Sequence, residues 1–166
     1  MPTFNNLKEL ENYLSSGKGT DTLLNNDNIQ QVLIKEAKRL EGYIKDELNI
    51  HFRSYQPKVY QRTGNTLASI YVTTPKKDGL YNWSIEIRFD RSLAEHPSVI
   101  GSDQPKGYTP WLLEVGWNIE SKVGFSRPMF TDHPGTKYIT KAIKKFNSHN
   151  SYGLKIEVET DKEKYM

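Results

Sequence analysis

The strongest constraint on this chain is one apolar stripe: Ile29, Leu33, Ala37, Leu40, Ile44 and Leu48 recur at spacings of three and four, the period of a single helix face. A helix of that length, about 30 Å, carries more apolar surface than it can leave in water, so other elements must cover it. Its opposite face sets Lys35, Lys38, Arg39 and Lys45 against Glu36, Glu41, Asp46 and Glu47, which reads as a balanced, solvated surface. Asn26 or Asp27 is placed to cap the first turn, and Gly42 weakens the helix by about 1 kcal/mol relative to Ala.

The covering elements follow along the chain. Ala68, Ile70 and Val72 alternate with Ser69, Tyr71 and Thr73, and Tyr81, Trp83, Ile85, Ile87 and Phe89 alternate with Asn82, Ser84, Glu86, Arg88 and Asp90. With turn chemistry at Pro75-Lys76-Lys77-Asp78-Gly79 between them, this is an antiparallel hairpin with one apolar face and a solvent face holding Glu86, Arg88 and Asp90. Residues 91–107 hold Pro97, Gly101, Pro105 and Gly107 with little periodicity and read as a long exposed loop that contacts a partner or is disordered alone. Residues 108–117 read as a strand-like segment, with Trp111, Leu113, Val115 and Trp117 on one side and Pro110 delaying its start. After a helix-initiating turn at His133-Pro134-Gly135, the spacing of Tyr138, Ile139, Ala142, Ile143 and Phe146 predicts a helix whose polar face is basic, with Lys137, Lys141, Lys144 and Lys145. Leu154, Ile156 and Val158 alternate with Lys155, Glu157 and Glu159 as a last strand. The expected fold is α+β, a small antiparallel sheet packed against one long and one shorter helix over residues 28–160. Residues 1–27 are expected to be a flexible or short-helical leader, the helix marked by Leu7, Leu10 and Leu14, and residues 161–166 a charged tail.

A chain of 166 residues suits one ordinary domain. It has no cysteine, which removes disulfides, thiolate metal sites and cysteine nucleophiles. No apolar run approaches the roughly 20 residues that span a bilayer, so a soluble, cytosolic protein without membrane contact is expected. The histidines, His51, His96, His133 and His149, stand beside no nucleophile elbow, and the Asp132–His133 and Glu95–His96 neighbours lack a second cluster for a metal. No phosphate-cradling glycine pattern occurs. The residues therefore predict neither an enzyme nor a cofactor.

Charge is more informative in its placement than in its total of +3. Residues 51–77 carry Arg53, Lys58, Arg62, Lys76 and Lys77 and no acid, with Tyr55 and Tyr60 interleaved, and the last helix adds a second basic block. Residues 157–166 set Glu157, Glu159, Asp161 and Glu163 against Lys162 and Lys164. Such blocks can track phosphates or meet the acidic face of a neighbour. A small DNA-binding protein using residues 51–77 and 137–145, or a metal-dependent DNA-cleaving one using Glu86 or the acids of the last strand, is the alternative reading.

The stretch Ser54-Tyr55-Gln56-Pro57-Lys58-Val59-Tyr60-Gln61-Arg62-Thr63-Gly64-Asn65 stands between the long helix and the first strand. It is followed by Trp111-Leu112-Leu113-Glu114-Val115-Gly116-Trp117, by Arg127-Pro128-Met129-Phe130 and then by a helix. In this order the pieces resemble the tail-completion and head-tail joining family of long-tailed bacteriophages, in the branch found in phages of Gram-positive bacteria. The resemblance covers roughly residues 28–160. It implies a virion structural protein of the neck, made in the host cytoplasm, that closes into a ring of six or twelve copies around the DNA channel. Its partners would be the head-side connector or stopper and the tail-tube or tail-terminator protein. Read from the residues, Thr63-Gly64-Asn65 is a turn in which Gly64 permits positive φ, and Gly116 fits a bulge or a close backbone approach. Glu114, between apolar neighbours, needs a partner; Arg62 or Arg127 is the expected one. Tyr60, Arg62, Thr63, Gly64, Glu114, Gly116, Trp117, Arg127 and Pro128 are thus candidate interface or fold residues, and Lys76 and Lys77 candidates to face channel DNA.

Overall fold

The stripe forms the helix it predicts: α1 spans Ile29–Arg53. Its buried face is wider than the stripe, because Val32 and Glu36 are buried together with Leu33, Ala37, Leu40, Ile44 and Leu48. Glu36 is therefore not on the solvated side; Arg39, 2.5 Å away, neutralises it. Glu41 and Lys45 pair at 2.5 Å in the expected i,i+4 manner. The structure, a computed structural model, describes Lys8, Glu9, Asn12 and residues 29–54, 64–79, 82–96, 107–118 and 132–159. Lys8, Glu9 and Asn12 are helical, whereas the rest of the leader, the capping candidates Asn26 and Asp27, and the charged tail lie outside the described residues.

After α1 come α2 (Asn65–Ala68), β1 (Ile70–Val72), β2 (Lys76–Lys77), β3 (Trp83–Ser84) and β4 (Ile87–Phe89). They are followed by α3 (Arg91–Ala94), β5 (Glu95–His96), β6 (Gly107–Tyr108), α4 (Thr109–Val115), β7 (Gly116–Asn118), β8 (Asp132–Pro134) and α5 (Tyr138–Asn147). The fold is α+β, with its described strands in two-stranded ladders: β1 with β4, β2 with β3, β5 with β6 and β7 with β8. Bonds from Asp90 N to Ser69 O and from Thr73 N to Glu86 O bracket the β1–β4 ladder and make it antiparallel. By contacts the chain groups into two compact units, Met1–Arg39 with Val72–Ile87, and Leu40–Tyr71 with Arg88–Met166.

In the first unit the hairpin turns later than the sequence suggests. Lys76 and Lys77 are not turn residues but pair with Ser84 and Trp83, and Asp78 N closes the turn on Asn82 O at 2.8 Å. The long second strand is interrupted at Ile85 and Glu86. There the Thr73 hydroxyl takes the place of a ladder acceptor, receiving Glu86 N at 3.1 Å. Glu86 is consequently half-buried rather than on the solvent face.

In the second unit Ala68 belongs to α2 and the strand starts only at Ile70. The expected loop 91–107 begins as structure: Asp90 caps α3 through its carboxylate, which accepts Ser92 N at 2.9 Å and Ser92 Oγ at 2.6 Å. These bonds, the side-chain one first, hold the Asp90 carboxyl below its ordinary value. Arg91 and Glu95 form an ion pair across α3, and β5 pairs with β6, Glu95 opposite Tyr108. Residues 97–106 lie outside the described residues. Phe89 meets Tyr108 edge to face, ring centroids 6.5 Å apart. Residues 109–115 are helical rather than extended, because Pro110, Leu113 and Glu114 form the buried side, an i, i+3, i+4 set; the proline that would delay a strand instead opens a helix. The last-strand expectation also fails, since residues 154–158 join no ladder among the described residues.

Candidate functional site

Of the residues that carry the resemblance, 111–117 form most of α4 and the start of β7, next to the start of α5, whereas Gly64 and Asn65 lie at the start of α2. α5 begins without a cap of its own: Lys137, its flanking residue, has φ 55° and ψ 35° and offers no side-chain bond to the first turn. A helix N-terminus leaves unpaired N–H groups, and here Glu114 supplies the missing acceptor. Its carboxylate receives Ile139 N at 2.7 Å, Thr140 N at 3.2 Å and Thr140 Oγ1 at 2.5 Å. Among the described residues the partner of this 8 % exposed carboxylate is thus a helix start, where backbone dipoles favour negative charge. Arg62 and Arg127, together with Tyr60, Thr63 and Pro128, lie outside the described residues.

The backbone around Glu114 is held as tightly as its side chain. Thr136 N and Thr136 Oγ1 both donate to Leu113 O, at 2.8 and 2.7 Å, and Lys137 N donates to Glu114 O at 3.1 Å. These bonds fix Lys137 in the left-handed region, which a non-glycine residue adopts only when its surroundings over-determine it. Gly116 ends α4 with φ 80°, a conformation suited to glycine, and starts β7 opposite Pro134. Trp117 follows in β7, opposite His133. Asp132–Pro134 is therefore a strand, and the turn into α5 lies one step later, at residues 135–137. Gly135 makes the closest approach: a Cβ there would stand 2.5 Å from Glu114 O and from Val115 C. Gly64 has φ 77° at the start of α2, as the turn reading requires.

Under this junction Tyr138 is buried and its hydroxyl donates to Pro110 O at 3.2 Å. Burial, and then the nearby Glu114 charge, hold its phenol well above the ordinary value. Sequence reasoning missed Lys137, Ile139 and Thr140 as the donors to Glu114; the available signal was a helix start lacking any capping side chain just where a costly acid needed donors.

The outer surface of α5 is basic. Lys137, Lys141, Lys144 and Lys145 are exposed, and Lys145 Nζ lies 4.5 Å from the ring centre of Tyr43 on α1, a cation–π contact. In the first unit Lys76 and Lys77 are exposed on their two-residue strand. Among the described residues no group of three or more His, Asp or Glu side chains is placed to hold a metal, and no helix is long and apolar enough to cross a membrane. His51 is half-buried at the end of α1 beside Phe52, and His149 is exposed, its Nδ1 2.9 Å from Ser148 Oγ. Comparison with family models, with curated proteins and with solved structures finds no match.

Proposed function

We propose that this chain is a virion structural protein of the neck of long-tailed phages, which closes into a ring at the head-tail junction with the DNA channel at its centre. One observation carries most of the support: Leu113, Glu114 and Gly116, the centre of the resemblance, do backbone work. They terminate one helix, start a strand and cap the next helix. A motif spent on rigid geometry suits a subunit whose task is to hold shape against copies of itself. Head-to-tail closure of a ring needs a different surface on each side of the subunit, and the separated basic and acidic stretches of the sequence supply them. In this reading Arg62 and Arg127 serve the fold or the interface, and Lys76 and Lys77 face passing DNA. Mass measurement and electron microscopy of the purified protein, alone and with tail tubes, test it. Rings or tube-capping particles are expected; a protein monomeric in both settings and absent from virions overturns the reading.

The second reading, a small DNA-binding protein, is favoured by the exposed row Lys137, Lys141 and Lys144. It predicts duplex binding that weakens steeply with salt and no copurification with particles; its cleaving variant adds a divalent-metal requirement.

A further inference from the structure

The residues beyond α5 hold an alternating segment that, among the described residues, joins no ladder. Leu154 and Ile156 are half-buried while Lys155 and Glu157 are exposed. Lys155 Nζ and Glu157 Oε1, two residues apart, pair at 2.5 Å on one side, the side-chain arrangement of an extended chain. Among the described residues, none of residues 155–159 makes a backbone hydrogen bond. A row of open N–H and C=O groups on an alternating segment is a template for pairing with another chain. The segment's start is pinned: Asn150 Nδ2 donates to Leu154 O at 2.8 Å and Leu154 N donates to Asn150 Oδ1 at 2.9 Å. Part of the ordering cost is therefore already met in the single copy.

We propose that residues 154–158 pair antiparallel with the same residues of a second copy of this chain, centred on Ile156. The segment is complementary to itself in that register and in charge. Centring on Ile156 sets Lys155 opposite Glu157 of the second copy, and Glu157 opposite its Lys155. On the other face Leu154 meets Val158, and Ile156 meets Ile156. Opposite charges and apolar pairs directly across a ladder are favourable. Val158, 56 % exposed in the single copy, is covered. Because both backbone groups of Leu154 are engaged by Asn150, the exchanged bonds fall on Lys155 and Glu157, and the two Ile156 residues form the close non-bonded pair, with Cα atoms about 4.5 Å apart. A centre on Glu157 would instead put two glutamates face to face. The contact is short, so it is weak and concentration-dependent. It stands independently of the neck reading: it joins two copies by a two-fold, whereas ring closure uses two different surfaces.

The absence of cysteine in the chain makes the test direct. Full-length Ile156→Cys should form an intermolecular disulfide under mild oxidation, since about 4.5 Å lies within the Cα range of a disulfide. Glu159→Cys, whose two copies stand about 20 Å apart in this register, should not. In sedimentation equilibrium Lys155→Glu should weaken the dimer by about tenfold, and the exchanged pair Lys155→Glu with Glu157→Lys should restore it. Both positions are exposed, and circular dichroism confirms that each variant is folded. Equal crosslinking of the two cysteine variants, a wild type that stays monomeric at all concentrations, or a dimer indifferent to Lys155→Glu overturns the proposal.

Discussion

Glu114 shows how much one side chain can govern. It caps a helix from another part of the chain, so Glu114→Ala leaves two N–H groups and a hydroxyl without their acceptor. We expect a loss of about 2 kcal/mol in urea unfolding, with Glu114→Gln losing less because its amide oxygen still accepts. Tyr138 gives a pH signature. Its phenol is held neutral in the fold above the ordinary value of 10.0, so the stability it contributes is complete below about pH 10 and declines as pH rises, when the unfolded chain gains by ionising. Tyr138→Phe should remove part of the alkaline decline seen in pH-dependent thermal melts, at a cost of about 1 kcal/mol near neutrality from the lost bond to Pro110. That Glu114 needed a partner was legible from its apolar neighbours. Which partner was not, because two of the three donors are backbone N–H groups of a helix start, which carry no residue-type signal.

At the scale of elements, the β7–β8 ladder depends on the seat that Gly135 gives to the end of α4. A methyl group there meets backbone atoms rather than a movable side chain. Gly135→Ala should therefore cost about 3 kcal/mol and erase the cross-strand NMR contacts between Gly116 and Pro134. The helices of long periodic segments, α1 and α5, were legible because burial and period agree over several turns. The strands were legible as extended apolar alternation but not in their bounds. Thr73, acting as a ladder acceptor, divides what the pattern shows as one strand, and Lys76 and Lys77, turn-like in composition, pair. Residues 109–115 defeat the pattern because Trp111, Leu113, Val115 and Trp117 satisfy a period of two while Pro110, Leu113 and Glu114 satisfy the helical period. Over seven residues both fit, and packing decides. Residues 154–158 show the complementary limit, since alternation implies an extended shape and says nothing about a partner.

For the whole molecule, the small net charge of +3 is distributed so that α5 presents its lysines together. Replacing Lys137, Lys141 and Lys144 by Gln should lower the salt slope of any duplex binding by about 2.7, measured by fluorescence anisotropy across a salt series. Copurification with particles should persist if that face serves passing DNA and not assembly. The capping of α5 by Glu114 also has a consequence for biosynthesis. The acceptor lies 25 positions ahead of the N–H it serves, so a chain leaving the ribosome displays the cap before the helix that requires it. A peptide of residues 132–159 has the helix without the cap. At ten residues α5 is shorter than helices that persist alone in water, so that peptide should be largely non-helical by circular dichroism. The basic face is therefore a late product of synthesis, present only in chains that already contain Glu114, and chains lacking that upstream segment carry the same lysines without the surface.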